Sequence, residues 1–274
     1  MLSINTNYGA FVALQNLQST QKELAATENR ISTGLKVSGP KDNGAVYAIA
    51  EGLRGNIQAL NSVNTSLDRA TSVVDTAISA GQSVSDLLKD MKEKALAAKD
   101  ASIDTATRDA YNADFVALRD QITNVLSNAT FDGANLVDGS TSKLEALANT
   151  KGDKFITSSA QDLSLSGSIV SLASTATIST ATKASSAIST IENSINALGL
   201  ALAKLGTDGK KLGIQKSFMT KLGDELKNGL GNLVDADLAT ESAKLQALQT
   251  KQQLGIQALS IANQAPSTLL ALFR

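Results

Sequence analysis

Both ends of this 274-residue chain read as long helices whose apolar residues are spread too far around the axis to be covered inside one copy of the molecule. At the front, Ala10, Leu17, Leu24 and Ile31 fall seven apart, and Leu14 and Leu35 lie on the neighbouring row that Gln21 and Glu28 interrupt. One weak heptad seam through residue 35 follows. At the back, Leu238, Leu245, Leu248, Leu254, Ile256, Leu259 and Ile261 occupy several faces, and Leu269, Leu270, Leu272 and Phe273 close the chain. Chain ends are ordinarily polar unless something ties them down. Such an end is either folded back on its own domain or covered by another copy.

Stronger periodicity lies between the ends. Leu60, Leu67, Val74, Leu88 and Ala95 make one heptad row, broken at Gly81, with Val63, Ala70, Ala77, Val84, Met91 and Ala98 as its companion. No proline interrupts them, so a rod of roughly 60 Å is predicted at about 1.5 Å per residue. Asp104-Thr105 supplies an N-cap for a second helix carrying Tyr111, Phe115, Leu118, Ile122 and Leu126, which should stop before the turn Phe131-Asp132-Gly133. The pair reads as an antiparallel hairpin. From Asn135 to about Thr190 the texture changes, and 143–147 and 153–157 read as a short β-hairpin followed by Ser/Thr-rich loops and weak strands. Heptads return as Ile191, Leu198, Leu205, Leu212, Met219, Leu226 and Leu233, a third rod. The glycines among them weaken it, so it depends on packing against the first two.

The expected fold class is therefore mainly α: a terminal helix pair, a rod-like three-helix bundle, and a small β-hairpin. With no Cys and no His, thiol chemistry, imidazole acid/base chemistry and the commonest zinc sites are excluded. A net charge of −1 without a basic cluster argues against nucleic acid or an anionic membrane as partner. No stretch approaches a membrane span, and the first nine residues have neither a charged nor an apolar leader region, so Sec export is not expected. Asp109, Asp114 and Asp120 sit at mixed spacing on one helix and read as solvated surface rather than catalytic groups. Neither an enzyme nor a cofactor is expected.

Three segments carry a family resemblance. Glu28-Asn-Arg-Ile-Ser-Thr-Gly-Leu-Lys-Val-Ser-Gly-Pro-Lys-Asp-Asn-Gly44 resembles the bacterial flagellin signature at the end of its first helix. Thr130-Phe-Asp-Gly-Ala-Asn-Leu136 is similar to that family's turn after the second core helix. Leu233 to Ser242, Gln252-Gln-Leu-Gly-Ile-Gln-Ala-Leu259 and Ile261-Ala-Asn-Gln-Ala-Pro266 look like its C-terminal signature, in wording nearest to alphaproteobacterial flagellins.

The resemblance implies a structural subunit that polymerises into the extracellular filament used for swimming. It also implies export unfolded through the flagellar type III apparatus and folding at the filament tip. Residues 1–44 with 237–274 would form the inner domain, and 45–236 the bundle domain, with no large outer domains. Inner-core packing would fall to Leu14, Leu17, Leu24, Ile31, Leu245, Leu248, Ile256 and Leu259, together with the apolar tail at 269, 270, 272 and 273. Bundle packing would fall to Leu60, Leu67, Val74, Leu88, Ile191, Leu198, Leu205, Leu212, Met219 and Leu226. Arg30, Lys36, Lys41 and Asp42, in the connector, would make contacts between subunits. Expected partners are further copies, flagellin paralogues, an export chaperone, the filament cap and junction proteins. Where receptor-recognised flagellins usually present Arg and Leu, this chain has Asp90 and Lys94, which implies weak recognition by the animal Toll-like receptor. The alternative reading is a hook-filament junction protein, which shares the two-ended layout but does not form long fibres.

Overall fold

In the computed structural model, residues 6–270 are described, with side chains through 264. Among them the order is α1 (Tyr8–Thr33), α2 (Gly44–Lys99), α3 (Thr105–Asn128), β1 (Lys143–Leu147), β2 (Phe155–Ser159), α4 (Ala181–Val234) and α5 (Leu238–Leu270). Contacts divide the chain into two compact units, residues 1–55 with 225–274, and residues 56–224.

The larger unit is built on the heptads. Both rows of α2 are buried from Leu60 to Ala98, and so are Ile191, Leu198, Leu205, Leu212 and Met219 of α4. A Cβ on Gly209 would stand 3.6 Å from Val74, one on Gly223 would stand 3.6 Å from Leu60, and Lys92 pairs with Glu192 at 2.8 Å. Numbers rise along α2 as they fall along α4, so the two run antiparallel. The break in the heptad at Gly81 has a steric reason. A Cβ there would come within 2.6 Å of the Leu202 side chain, so glycine leaves the room that Leu202 fills.

α3 folds back along α2. Asp104 accepts from the Thr107 N–H at 2.7 Å as N-cap, while Arg108 donates to the Ala98 and Asp100 carbonyls at 3.0 and 2.9 Å. That one arginine satisfies carbonyls left open at the end of α2. Phe115, Ile122 and Leu126 are buried, and Tyr111 and Leu118 are half-buried. The predicted turn is present: Phe131 and Ala134 exchange two backbone hydrogen bonds at 3.0 Å, and Asp132 and Gly133 both have positive φ, 49° and 77°. Two left-handed residues are what a two-residue hairpin turn requires. Buried Asn135 then donates to the Leu126 carbonyl at 2.7 Å and closes the end of α3.

Two boundaries differ from the sequence reading. The second strand is 155–159, not 153–157, and Leu147 pairs with Phe155. Asn149 accepts from the Gly152 N–H at 3.0 Å, and the Ala148 N–H reaches the Lys154 carbonyl at 2.8 Å, so Asp153 and Lys154 are taken up in the turn. α4 begins at Ala181, well before Ile191. Its first turns bury Ala184 and Ala187, residues too small to announce a heptad. Nor does 160–180 form strands. It is a strap held by buried Leu163, Val170, Leu172 and Ile178, with Arg119 donating to the Ala176 carbonyl and the Ile178 N–H donating to Asn112. The hairpin is laid on the helices by three bonds, Leu147 N–H to Ser66, Gln215 to the Ala148 carbonyl, and Ser158 to Asp208.

In the smaller unit α1 and α5 run antiparallel. Asn7 donates to the Ala262 carbonyl at one end, Leu17 packs on Gly255 in the middle, and Arg30 pairs with Glu241 at the other end. α1 stops at Gly34, whose φ of 71° is the left-handed cap that glycine supplies without strain. The chain then crosses beside the end of α4: the Lys36 N–H donates to the Val234 carbonyl and the Ala236 N–H to the Gly34 carbonyl. Val37, Ala50 and Val234 are buried there, with Leu35, Val46, Tyr47, Leu230 and Leu233 packed around them.

Candidate assembly surface

The α1–α5 pair buries little. Leu17 and Leu248 are the only apolar side chains of the two helices that are buried among the described residues. Ala10, Ala13, Leu24, Ile31, Leu245 and Leu259 are half-buried along the same seam. The companion row of α1 is Ala13, Thr20 and Thr27, not Leu14, Gln21, Glu28 and Leu35. Thr20 turns its hydroxyl onto the Asn16 carbonyl at 2.9 Å and so hides its polar atom, whereas Leu14 is left 40% exposed. The seam also carries buried oxygens with no hydrogen-bond partner, Thr27 Oγ1 and Glu241 Oε2. Each such atom is destabilising when it is shut away from water.

What the pair leaves outside is apolar. Tyr8, Phe11 and Leu14 of α1 are exposed, and so are Leu254, Ile256 and Ile261 of α5, the last at 71%. Leu254 and Ile261 stand seven residues apart, on one face of α5. Between the helices runs a groove of about 440 Å³, lined by Ala13, Asn16, Leu17, Thr20, Leu254, Gly255 and Ala258 among others. Of the inner-core residues expected from sequence, Leu17 and Leu248 pack within the pair, Leu24, Ile31, Leu245 and Leu259 do so in part, and Leu14 and Ile256 face outward. The side chains of Leu269, Leu270, Leu272 and Phe273 lie outside the described residues.

The connector is held by short polar contacts. Asp42 accepts from the Ser38 hydroxyl, the Ser38 N–H and the Gly39 N–H at 2.9–3.0 Å. Those donors, aided by the charge of Arg30, hold its carboxyl below the ordinary aspartate range. Lys36 donates to the Asn232 carbonyl at 3.1 Å, Arg30 holds Glu241 at 3.2 Å, and Lys41 is exposed. Asp237 caps α5 by accepting from the Thr240 hydroxyl and from the Thr240 and Ala239 N–H groups, and its carboxyl is likewise lowered, Thr240 being the largest cause. The sequence reading missed Asn7, whose side chain both caps α1 by accepting from the Ala10 N–H and donates across to Ala262. An Asn just before a heptad run is an N-cap signal that was available. In the other unit Asp90 is exposed, and Lys94 pairs with Asp114 at 3.2 Å, which keeps the ammonium charged to higher pH than usual.

Leu60, Leu67, Val74, Leu88, Ile191, Leu198, Leu205, Leu212 and Met219 are all buried, and Leu226 is half-buried.

Comparison with known proteins gives this geometry a setting. The family described as the bacterial flagellin N-terminal helical region matches residues 4–142, and the bacterial flagellin C-terminal helical region matches residues 188–273. The chain belongs to the bacterial flagellin family. This flagellin is 51% identical to flagellin FljM of Caulobacter vibrioides over 99% of its own length and 98% of the relative's. It is 37% identical to a flagellin of Brucella melitensis, with both chains fully covered. The fold is shared with a solved Vibrio parahaemolyticus structure provisionally described as a flagellar hook-associated protein, at TM-score 0.56 and 11% identity, covering 71% of this chain and all of that one. As a flagellin the chain is a structural subunit of the bacterial flagellar filament, polymerising with further copies. Its working parts are therefore surfaces.

Proposed function

We propose that the outward apolar face of the α1–α5 pair is the surface on which successive copies stack, so that residues 1–44 with 237–274 form the filament's inner layer. The observation that carries this is the contrast within one helix pair. Among the described residues, helices of 26 and 33 residues bury only two leucines between them, while Phe11, Leu14, Leu254, Ile256 and Ile261 remain in solvent. Ordering costs about 1–2 kcal/mol per residue, which a seam this thin does not offset alone. Coverage by neighbours does.

The same property suits the route to the filament. A chain whose ends stay unfolded until they dock passes through the flagellar type III apparatus and folds at the tip, outside the cell. A chaperone covering the apolar ends before export, and the cap and junction proteins at either end of the filament, complete the set of partners. Residues 45–236 form the bundle layer. Asp90 and the Lys94–Asp114 pair put opposite charges where receptor-recognised relatives present Arg and Leu, and the filament is a poor Toll-like-receptor ligand on this reading.

Seeded growth watched by negative-stain electron microscopy tests the proposal. The full chain elongates seeds into long filaments. Ile256→Ser with Ile261→Ser removes apolar surface that is exposed among the described residues, and it abolishes growth or raises the critical concentration at least tenfold while helix content of the bundle is unchanged. Growth of the double variant at the wild-type concentration contradicts the proposal. A full chain that only caps existing filaments supports the junction-protein role instead.

A further inference from the structure

We propose that a lateral contact between copies is made by α4 of one copy seating on α3 of the next, Lys210, Ile214, Phe218 and Lys221 meeting Asp109, Ala113, Ala117 and Asp120. This inference rests on the filament reading above and names the residues of one contact within it. On α4 the four residues are spaced by four, four and three, which puts them in one stripe of a helix. Ile214 is 71% exposed and Phe218 54%, both large apolar side chains left mostly in solvent by their own unit. Lysines bracket them, and neither Lys210 nor Lys221 has an ion-pair partner among the described residues.

The stripe on α3 has the same spacing and the opposite character. Asp109, Ala113, Ala117 and Asp120 are all exposed, with the two carboxylates at the ends and two alanines between them. Asp120 uses one oxygen, Oδ1, for Arg119 and keeps the other open, and Asp109 is unpaired among the described residues. Small side chains give Ile214 and Phe218 room to approach the helix, and the ends match in charge. Both α3 and α4 run antiparallel to α2, so they run parallel to each other. Copies related by a screw along the helix direction keep that sense, which sets Lys210 against Asp109 and Lys221 against Asp120.

The two stripes both face out of the same unit, so one copy cannot join them to each other. A contact between two different surfaces repeats without closing and generates an open polymer. Charge complementarity of this kind chooses partner and register.

The test is a charge exchange read as critical concentration of the full chain on seeds at about 0.1 M salt. Lys210→Glu with Lys221→Glu sets carboxylate against carboxylate and raises the critical concentration roughly tenfold or more. Asp109→Lys with Asp120→Lys does the same from the other side. An equal mixture of these two double variants elongates at close to the wild-type concentration, because each copy then finds an opposite stripe on the other. Circular dichroism melting of each variant confirms that the helices are intact. Double variants that elongate like the wild type, or a mixture no better than either component, overturn the contact while the filament reading stands. A wild-type chain that does not elongate overturns both.

Discussion

At the scale of single residues, the connector and the start of α5 are organised by two exposed carboxylates. Asp42 collects three donors from Ser38 and Gly39, and Asp237 collects three from Thr240 and Ala239. Both are held below the ordinary aspartate value, so each stabilises the folded form above that value and loses its contribution as pH falls through the lowered one. Asn in either place still accepts a hydrogen bond but no longer titrates. Filaments of an Asp42→Asn, Asp237→Asn variant are accordingly predicted to show a shallower rise of critical concentration with acid than the wild type below the ordinary aspartate range. Equal slopes for the two would show that these carboxylates contribute nothing linked to assembly.

At the scale of elements, the two helix systems differ in how much they bury. Leu67 is fully buried in the continuous core of the larger unit, and Leu67→Ala is predicted to cost about 2–5 kcal/mol of that unit's stability. Denaturant unfolding followed through Tyr111 measures it, and a loss under about 1 kcal/mol would mean that the core is looser than its burial indicates. Elements built on large apolar residues at seven-residue spacing were legible in the sequence: both rows of α2, the later part of α4, and α3 with its Asp104 cap. Elements marked by small or polar residues were not. Ala184 and Ala187 hid the first turns of α4, and Thr20 and Thr27 hid the true companion row of α1: Thr20 bonds its own helix and so packs like an apolar residue, while Thr27 is buried with its hydroxyl unpaired. The strap at 160–180, expected as loops and weak strands, was not legible because its four buried residues among many Ser and Thr have no period.

At the scale of the whole molecule, assembly follows from an uneven distribution of burial. The unit at 56–224 carries a core of its own, whereas the α1–α5 pair, among the described residues, holds two buried leucines and presents a larger set of apolar side chains to solvent. The need for neighbours could be read from the apolar ends of the sequence. Which side chains face them could not, because Leu14 and Ile256 look no different from Leu17 and Leu248 until the pair's geometry is known. Amide hydrogen exchange of the full chain, as monomer below the critical concentration and again in filaments, tests the central claim most directly. The account predicts that amides of residues 8–33 and 238–264 exchange quickly in the monomer and are strongly protected in the filament, while those of α3 and the middle of α2 are protected in both. Terminal helices as slow to exchange in the monomer as in the filament would contradict it, because the pair would then be stable without its neighbours.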